Sequence, residues 1–263
     1  MSNGAMQVAR TGLDAQNMKM RVIANNLANV NSTGFKKDRA EFATLAYQKM
    51  VAAGAQSDAQ NKFAIGQTLG TGVRIAGMTR MESQGTLQAS GNALDLAIEG
   101  GGYFQVARAD GSIGYTRAGN FSMTAEGTLV TAGGLPLEPQ IQIPEGATSI
   151  SIGADGTVSA TLSGQSAPSQ IGQITLASFI NPAGLESLGD NLMAETAASG
   201  AAQVGAAGEA GRGTLRQGML ESSNVNVVEE LVAMIETQRA YEVNSKMIQT
   251  TDEMLQFINQ QIG

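Results

Sequence analysis

In Val22-Ile23-Ala24-Asn25-Asn26-Leu27-Ala28-Asn29-Val30-Asn31-Ser32-Thr33-Gly34-Phe35 an amphipathic helix closes and the chain turns sharply. Met6, Leu13, Met20 and Leu27 recur every seventh residue, and Ala9, Gln16, Ile23 and Val30 form a second row offset by three. Two rows at three/four spacing make the narrow seam of a coiled coil. Asn25, Asn26, Asn29 and Asn31 are too many for an ordinary helix interior, because their amides compete for backbone hydrogen bonds. They suit a crowded, partly dry interface that pins register. Asn31-Ser32-Thr33-Gly34 supplies stop chemistry, with Gly for a left-handed cap and Phe35 to pack back. Taken alone, the stretch also reads as a plain helix ending on a turn.

The other end of the chain mirrors it. Val227, Met234, Tyr241, Ile248, Leu255 and Ile262 recur every seven residues, flanked by Ala233, Ala240, Met247 and Met254. Ser222-Ser223-Asn224 precedes the helix, and Glu229 and Glu230 lie in its early turns, where the helix dipole favours acid. The row Leu231, Gln238, Ser245, Asp252 and Asn259 becomes polar, so the distal end has too little apolar face to stand alone and needs partners. The alternative is an ordinary C-terminal helix packed on the rest of the protein. Charge separates the ends. Residues 1–45 carry six basic against three acidic side chains, net +3, and residues 221–263 carry two against seven, net -5. Opposite signs favour their meeting, within one subunit or between neighbours, although each exposed pair adds little.

Between the ends the hydrophobic period changes to two. Val73 and Ile75 alternate, as do Leu94, Leu96 and Ile98, then Phe104 and Val106, Phe121 and Met123, Ile150 and Ile152, and Ile174 and Leu176. Asp110-Gly111, Glu126-Gly127 and Asp155-Gly156 punctuate these runs and predict hairpins of an antiparallel sheet or barrel. Pro136, Pro139 and Pro144 mark a loop between two β blocks. Residues 36–50 read as extended chain or a short helix. Residues 51–67 (VAAGAQSDAQNKFAIGQ) have the composition of a flexible linker, and residues 195–213 (ETAASGAAQVGAAGEAGRG) that of a mobile loop. The predicted fold class is α+β. Terminal helices, within residues 1–45 and 221–263, pair as a coiled-coil-like domain; residues 46–69 form a linker or insertion; residues 70–220 form a central, mostly antiparallel β domain.

Composition narrows the function. A chain of 263 residues can hold two domains. Charged residues are 15% and aromatics 4%, with no Trp, so the core rests on aliphatic side chains and Met. A net charge of -7 argues against an electrostatic nucleic-acid binder. No apolar run approaches the ~20 residues of a membrane span, and the N-terminus lacks the basic and apolar regions of a cleaved secretory signal. With no His and no Cys, histidine triads and His/Cys zinc sites are excluded. Asp95 and Glu99 sit in alternating sequence and read as surface or turn residues. Gly100-Gly101-Gly102 lacks the Gly-Lys-Ser/Thr of a phosphate loop and reads as a bulge or a close backbone approach.

Ala24-Asn25-Asn26-Leu27-Ala28-Asn29 followed by Ser32-Thr33-Gly34-Phe35-Lys36 resembles the N-terminal signature of the flagellar rod and hook axial proteins. Similarity continues at residues 87–97, 101–105, 115–121, 222–230 and 236–245 (ETQRAYEVNS), covering nearly the whole chain. The two terminal motifs are the most specific. Within that family, length and residues 47–72 are most similar to members of the distal rod, which carry an insertion there that hook proteins lack.

The resemblance implies a structural subunit rather than an enzyme, with no cofactor, no metal and no catalytic residues. It implies export through the flagellar type III apparatus without signal cleavage, and polymerisation into a straight hollow drive shaft crossing the periplasm, helices inside and β domains outside. The expected partners are other copies of the chain, further rod proteins, the hook protein and the surrounding ring bushing. The expected self-assembly residues are Met6, Leu13, Met20, Ile23, Leu27, Val30, Val227, Met234, Tyr241, Ile248, Leu255 and Ile262. In the insertion, Phe63 and Ile65 are the large apolar pair and the expected rod-specific contact. A proximal rod or hook subunit is the nearer alternative, and a secreted β-rich binding module with coiled-coil ends the more distant one.

Overall fold

Both heptad segments are helices. The computed structural model describes residues 2–56, 64–163 and 167–262, with backbone alone for residues 2, 3, 258, 259, 261 and 262. The first helix, α1, spans Ser2–Ala28, and the second, α2, spans Val227–Ile262. The start of α2 is capped by Asn226 rather than by the upstream serines: its Oδ1 accepts from the Val228 N–H at 3.0 Å, and its carbonyl accepts the Glu230 N–H at 3.0 Å. Glu229 and Glu230 occupy the first turn of α2, as the dipole favours. At the end of α1 the helix stops before Gly34, and the next turn is closed by Ser32 N–H reaching Asn29 O and Phe35 N–H reaching Ser32 O. Gly34 sits there at φ 69°, so it serves that turn rather than the helix cap.

The chain divides into two compact units. One comprises Met1–Leu27, Asp38–Thr79 and Asn226–Gly263; the other comprises Ala28–Lys37 and Arg80–Val225. The helical unit also holds β1 (Asp38–Thr44), β2 (Tyr47–Val51), β3 (Gln67–Gly70) and all but the last residue of β4 (Val73–Arg80). β1 pairs with β4, and β2 pairs antiparallel with β3 as a separate two-stranded hairpin. Residues 36–50 are thus extended, and the expected linker 51–67 is framed by the two strands of this hairpin.

The second unit is antiparallel β structure, as the alternation and the turn pairs require. Its strands include β5 (Leu87–Ala89), β6 (Leu96–Glu99), β7 (Tyr103–Ala107) and β8 (Ile113–Thr116). The largest sheet runs Glu186–Gly189, Leu192–Ala194, β8, β7, Thr175–Ser178, Gln203–Ala206, with Leu137–Glu138 also on β7. A three-stranded sheet of Ala147–Ile152, Thr157–Leu162 and Ser169–Gln173 stands apart from it. Inward residues of both, with Phe104 packed edge-on against Phe121 at 5.1 Å, make the main core. The expected mobile loop at 195–213 is corrected here: Gln203–Ala206 is an edge strand of the large sheet, and Ser199 is buried. Small residues hid it, because Ala and Gly give no alternating hydrophobic signal.

Four hairpin turns repeat one geometry. In 108–112, 124–128, 131–135 and 153–157 the fourth residue is Gly at φ 78–86°, donating its N–H to the carbonyl of the first. This is a three-residue hairpin loop ending on a left-handed bulge position, which Gly fills without steric cost. Asp110 and Asp155 stabilise two of them. The Ser112 and Thr157 hydroxyls and N–H groups donate to those carboxylates and hold them below the usual aspartate range. Two of the repeats extend further, since Ile143 N–H reaches Gly127 O and Ile174 N–H reaches Gly156 O, both at 2.8 Å.

Candidate assembly interface

The two terminal helices run side by side and antiparallel. Asn26 Nδ2 lies 3.4 Å from Glu230 Oε2, and the Asn244 amide lies against Gly12, where an added Cβ would stand 3.2 Å from Nδ2. The two contacts are 14 residues apart on both helices (12 to 26, 230 to 244), which is two heptads. On α2 the residues most buried are polar. Glu230 and Thr237 are buried, and Asn244 and Thr251 are half-buried, a row spaced by seven and displaced three residues from Val227. Thr237 Oγ1 donates to Ala233 O at 2.6 Å and Thr251 Oγ1 to Met247 O at 2.7 Å, so the hydroxyls are satisfied within their own helix.

Asn26, also buried, explains one amide of the N-terminal motif. Its Nδ2 donates to Asp38 O at 2.9 Å, and its Oδ1 accepts the Asp38 N–H at 3.0 Å. The side chain pairs with the first residue of β1 as a strand backbone would. Gly72 serves a second helix–strand contact, because Thr11 Oγ1 occupies the space a Cβ would need and accepts the Val73 N–H at 3.3 Å.

The expected assembly residues fall into several classes. Ile23 is buried; Met6, Leu13, Met20, Leu27 and Val30 are half-buried. Met234, Ile248 and Leu255 are half-buried, whereas Val227 and Tyr241 are exposed. Only the backbone of Ile262 is described. Ile65 is 80% exposed, and Phe63 lies outside the described residues. A further stripe lies off the central heptad row. Val228, Val232, Ile235, Val243, Met254 and Phe257 lie at three- and four-residue steps or their multiples and are 50–69% exposed. They occupy the side of α2 turned away from α1, roughly half a turn from the Glu230 row. Burying even part of such a stripe would contribute about 1.5–3 kcal/mol for each large side chain fully covered. Its signal in the sequence is the 11-residue spacing from Val232 to Val243 and from Val243 to Met254, which a seven-residue period does not pick up.

The second half of the N-terminal motif enters the β unit. Lys36 Nζ stands 2.6 Å from Glu221 Oε1 and 2.9 Å from Ser83 O. Arg117 Nε faces Glu221 Oε2 at 3.1 Å, in ion-pair range without hydrogen-bond alignment. The Arg117 guanidinium donates to the carbonyls of Gly100 and Gly102 at 2.7–2.9 Å, which is what the glycine run provides through close backbone approach. Gly34 N–H reaches Glu221 O, and Gly85 N–H reaches Glu221 Oε1. Burial pulls Lys36 below the usual lysine range against the opposing pull of its Glu221 hydrogen bond. Tyr103 hydroxyl donates to Glu82 Oε2 at 2.7 Å, and Arg117 lies 5.9 Å from the Tyr103 ring centroid. Asn224 ties the C-terminal motif to the same place, its Oδ1 accepting the Lys37 N–H and its Nδ2 donating to Met81 O and Ser83 O.

The two acidic residues read as surface or turn residues divide. Asp95 is buried, its N–H closing a turn to Asn92 O at 3.2 Å and its carboxylate accepting from Asn92 Nδ2 at 3.1 Å, whereas Glu99 is exposed, as expected, and paired with Arg216 at 2.7 Å. Among the described residues, no three His, Cys, Asp or Glu side chains are grouped to hold a metal ion, and no helix is long and apolar enough to cross a membrane.

Three family models match the chain. The flagella basal body rod protein model matches residues 6–36, the flagellar hook protein FlgE/F/G D1 domain model residues 97–160, and the flagellar basal body rod FlgEFG protein C-terminal model residues 216–261. The chain is 50% identical over 256 residues to the flagellar basal-body rod protein FlgG of Buchnera aphidicola subsp. Schizaphis graminum, covering 97% of this chain and 98% of the relative. It is 48% identical over 257 residues to the protein of that name in Caulobacter vibrioides, with 97% and 98% covered. To the Caulobacter vibrioides basal-body rod protein FlgF it is 33% identical over 252 residues, with 93% and 92% covered.

Proposed function

The chain belongs to the flagellar rod and hook protein family, and from that premise we propose that its copies polymerise into the distal segment of the rod. It is a structural protein of the flagellar basal body, not an enzyme. The polymer is a straight hollow shaft that crosses the periplasm and carries torque to the hook. The observation that carries this reading is the outer stripe of α2, from Val228 to Phe257, which leaves six large apolar side chains at least half exposed. A helix of 36 residues with one face on α1 and a second apolar face in water is incompletely buried as a monomer. Heterologous contacts through that face propagate instead of closing, which is the geometry of a filament.

The coiled-coil reading of the α1/α2 pairing, and the expected assembly residues along it, belong to this proposal. The two contacts spaced by two heptads support the pairing. The partners proposed beyond self are neighbouring rod proteins, the hook protein, the ring bushing and the type III export apparatus. The β2–β3 hairpin adds a contact between neighbouring copies. As a lone two-stranded hairpin it is marginal in water; Tyr47, Met50 and Leu69 are exposed on its strands, and Ile65 is exposed just before β3. Electron microscopy of purified, concentrated protein tests the proposal: straight hollow tubes are expected, and a chain that remains monomeric at every concentration would overturn it.

A further inference from the structure

Four charges on the outer sides of the terminal helices share one spacing. Arg10 and Arg21 are 11 residues apart on α1, and Glu242 and Glu253 are 11 apart on α2. All four are exposed, and none has an ion-pair or hydrogen-bond partner among the described residues. Counted around each helix from the contacts at Gly12, Asn26 and Asn244, all four lie roughly half a turn away from the line where α1 meets α2. Within one chain the arginines of α1 and the glutamates of α2 face away from each other, and each points where a neighbour would come.

We propose that α1 of one copy docks antiparallel on the outer face of α2 of the next, with Arg10 against Glu253 and Arg21 against Glu242. This rests on the polymer reading above and specifies its register. Eleven residues are about three turns, so both pairs lie on one edge of each helix and can form together. In that register Asp14 faces Gln249, Lys246 faces Asn17 and Arg239 faces Ala24, so no like charges oppose. Sliding α1 three residues toward the α2 N-terminus exchanges both pairs for one repulsion, Arg21 against Arg239, and one attraction, Asp14 against Lys246, and sliding it four the other way sets Arg21 against Lys246 and Asp14 against Glu253. The register with two attractions and no repulsion is thereby favoured over its neighbours. The arginine stems lie across the stripe beside Val243 and Phe257, where their methylenes cover apolar surface while the heads reach the carboxylates. The opposite net charges of the two chain ends then serve a contact between copies, in addition to the pairing inside one.

The test compares wild type, the R10E/R21E variant and the R10E/R21E/E242R/E253R variant by sedimentation and electron microscopy. The reversed pair is expected to raise the concentration needed for polymer by about tenfold, reflecting two exposed pairs turned from attraction to repulsion. The fourfold variant is expected to restore assembly, and circular dichroism of all three monomers to agree. The chain has no Cys, so R21C protein mixed with E242C protein is expected to give a covalent heterodimer in the polymer. A reversed pair that assembles like wild type, a loss not rescued by the fourfold change, or polymer without the heterodimer would each overturn the register. Failure of the wild type to polymerise at all would instead remove the polymer reading beneath it.

Discussion

Lys36 and Glu221, 185 residues apart in the chain, meet as a buried ion pair with Nζ 2.6 Å from Oε1 and each side chain 1% exposed. Glu221 also faces Arg117, and its backbone carbonyl receives Gly34 N–H. One carboxylate thus gathers the end of the N-terminal motif, the middle of the β unit and the strand that leads out toward α2. Burying charges costs desolvation, and the arrangement is sound only while every member is present.

Removing one member exposes that dependence. Lys36→Met leaves Glu221 buried with Arg117 as its one remaining cation among the described residues, and thermal or urea unfolding is expected to show a loss of roughly 3–5 kcal/mol. A loss below about 1 kcal/mol, the range of an exposed pair, would mean that the pair is wetter than its geometry indicates.

Gly34 and Gly111 separate two reasons for glycine. Both have positive φ, 69° and 80°. A Cβ on Gly34 would stand 2.6 Å from the Arg117 carbonyl carbon, whereas one on Gly111 would meet nothing within 4 Å. Gly111→Ala is expected to cost about 1–2 kcal/mol, the left-handed penalty alone. Gly34→Ala is expected to cost on the order of 4 kcal/mol or more, because backbone must move. Equal denaturation midpoints for the two variants would contradict the close approach.

Alkaline stability should report the tyrosines of the β unit. Burial first, then the neighbouring Glu195 carboxylate, pushes Tyr115 from 10.0 up to about 12. Burial and Glu82 push Tyr103 upward in the same sense. A folded pKa above the unfolded one gives stability that is full below pH 10 and is lost as pH rises through the folded value. Lys36, pulled downward, works oppositely, its burial cost fading as pH approaches 10.5. Melting temperature measured between pH 10 and 12 is expected to fall less steeply for Tyr115→Phe than for wild type; parallel curves would show that Tyr115 ionises freely in the folded state.

Residues 51–67 run in sequence from the end of β2 to the start of β3 and carry Ile65, 80% exposed. Deleting them is expected to leave polymerisation through the terminal helices intact while yielding a more flexible or curved tube. Persistence length from electron micrographs checks this. Equal stiffness would assign the segment no contact between neighbours.

Much of the architecture is legible in the sequence because it rests on local periodicity. Seven-residue recurrence marks both helices, alternation marks the β segment, and acidic-Gly pairs mark three of the four repeated turns. The rest carries no local signal. Gly133-Gly134 forms the fourth turn without an acid, and the strand Gln203–Ala206 is built of residues that look like linker. Asp95 reads as a surface or turn residue, and nothing adjacent in sequence foretells its burial.

The sequence by itself determined that there are two terminal helices, that a β-rich segment separates them, and which family the motifs resemble. Each of these depends on the spacing of side chains along one element, a property already present in the unfolded chain. Tertiary structure decided which face of each helix is used. The row Glu230, Thr237, Asn244 and Thr251 lies toward α1 because Asn26 and Gly12 receive it, while the apolar stripe from Val228 to Phe257 is left outside. It also decided that Lys36, Arg117 and Glu221 share one buried site. Burial depends on what another element places opposite, and charge pairing on distances that only the folded chain defines.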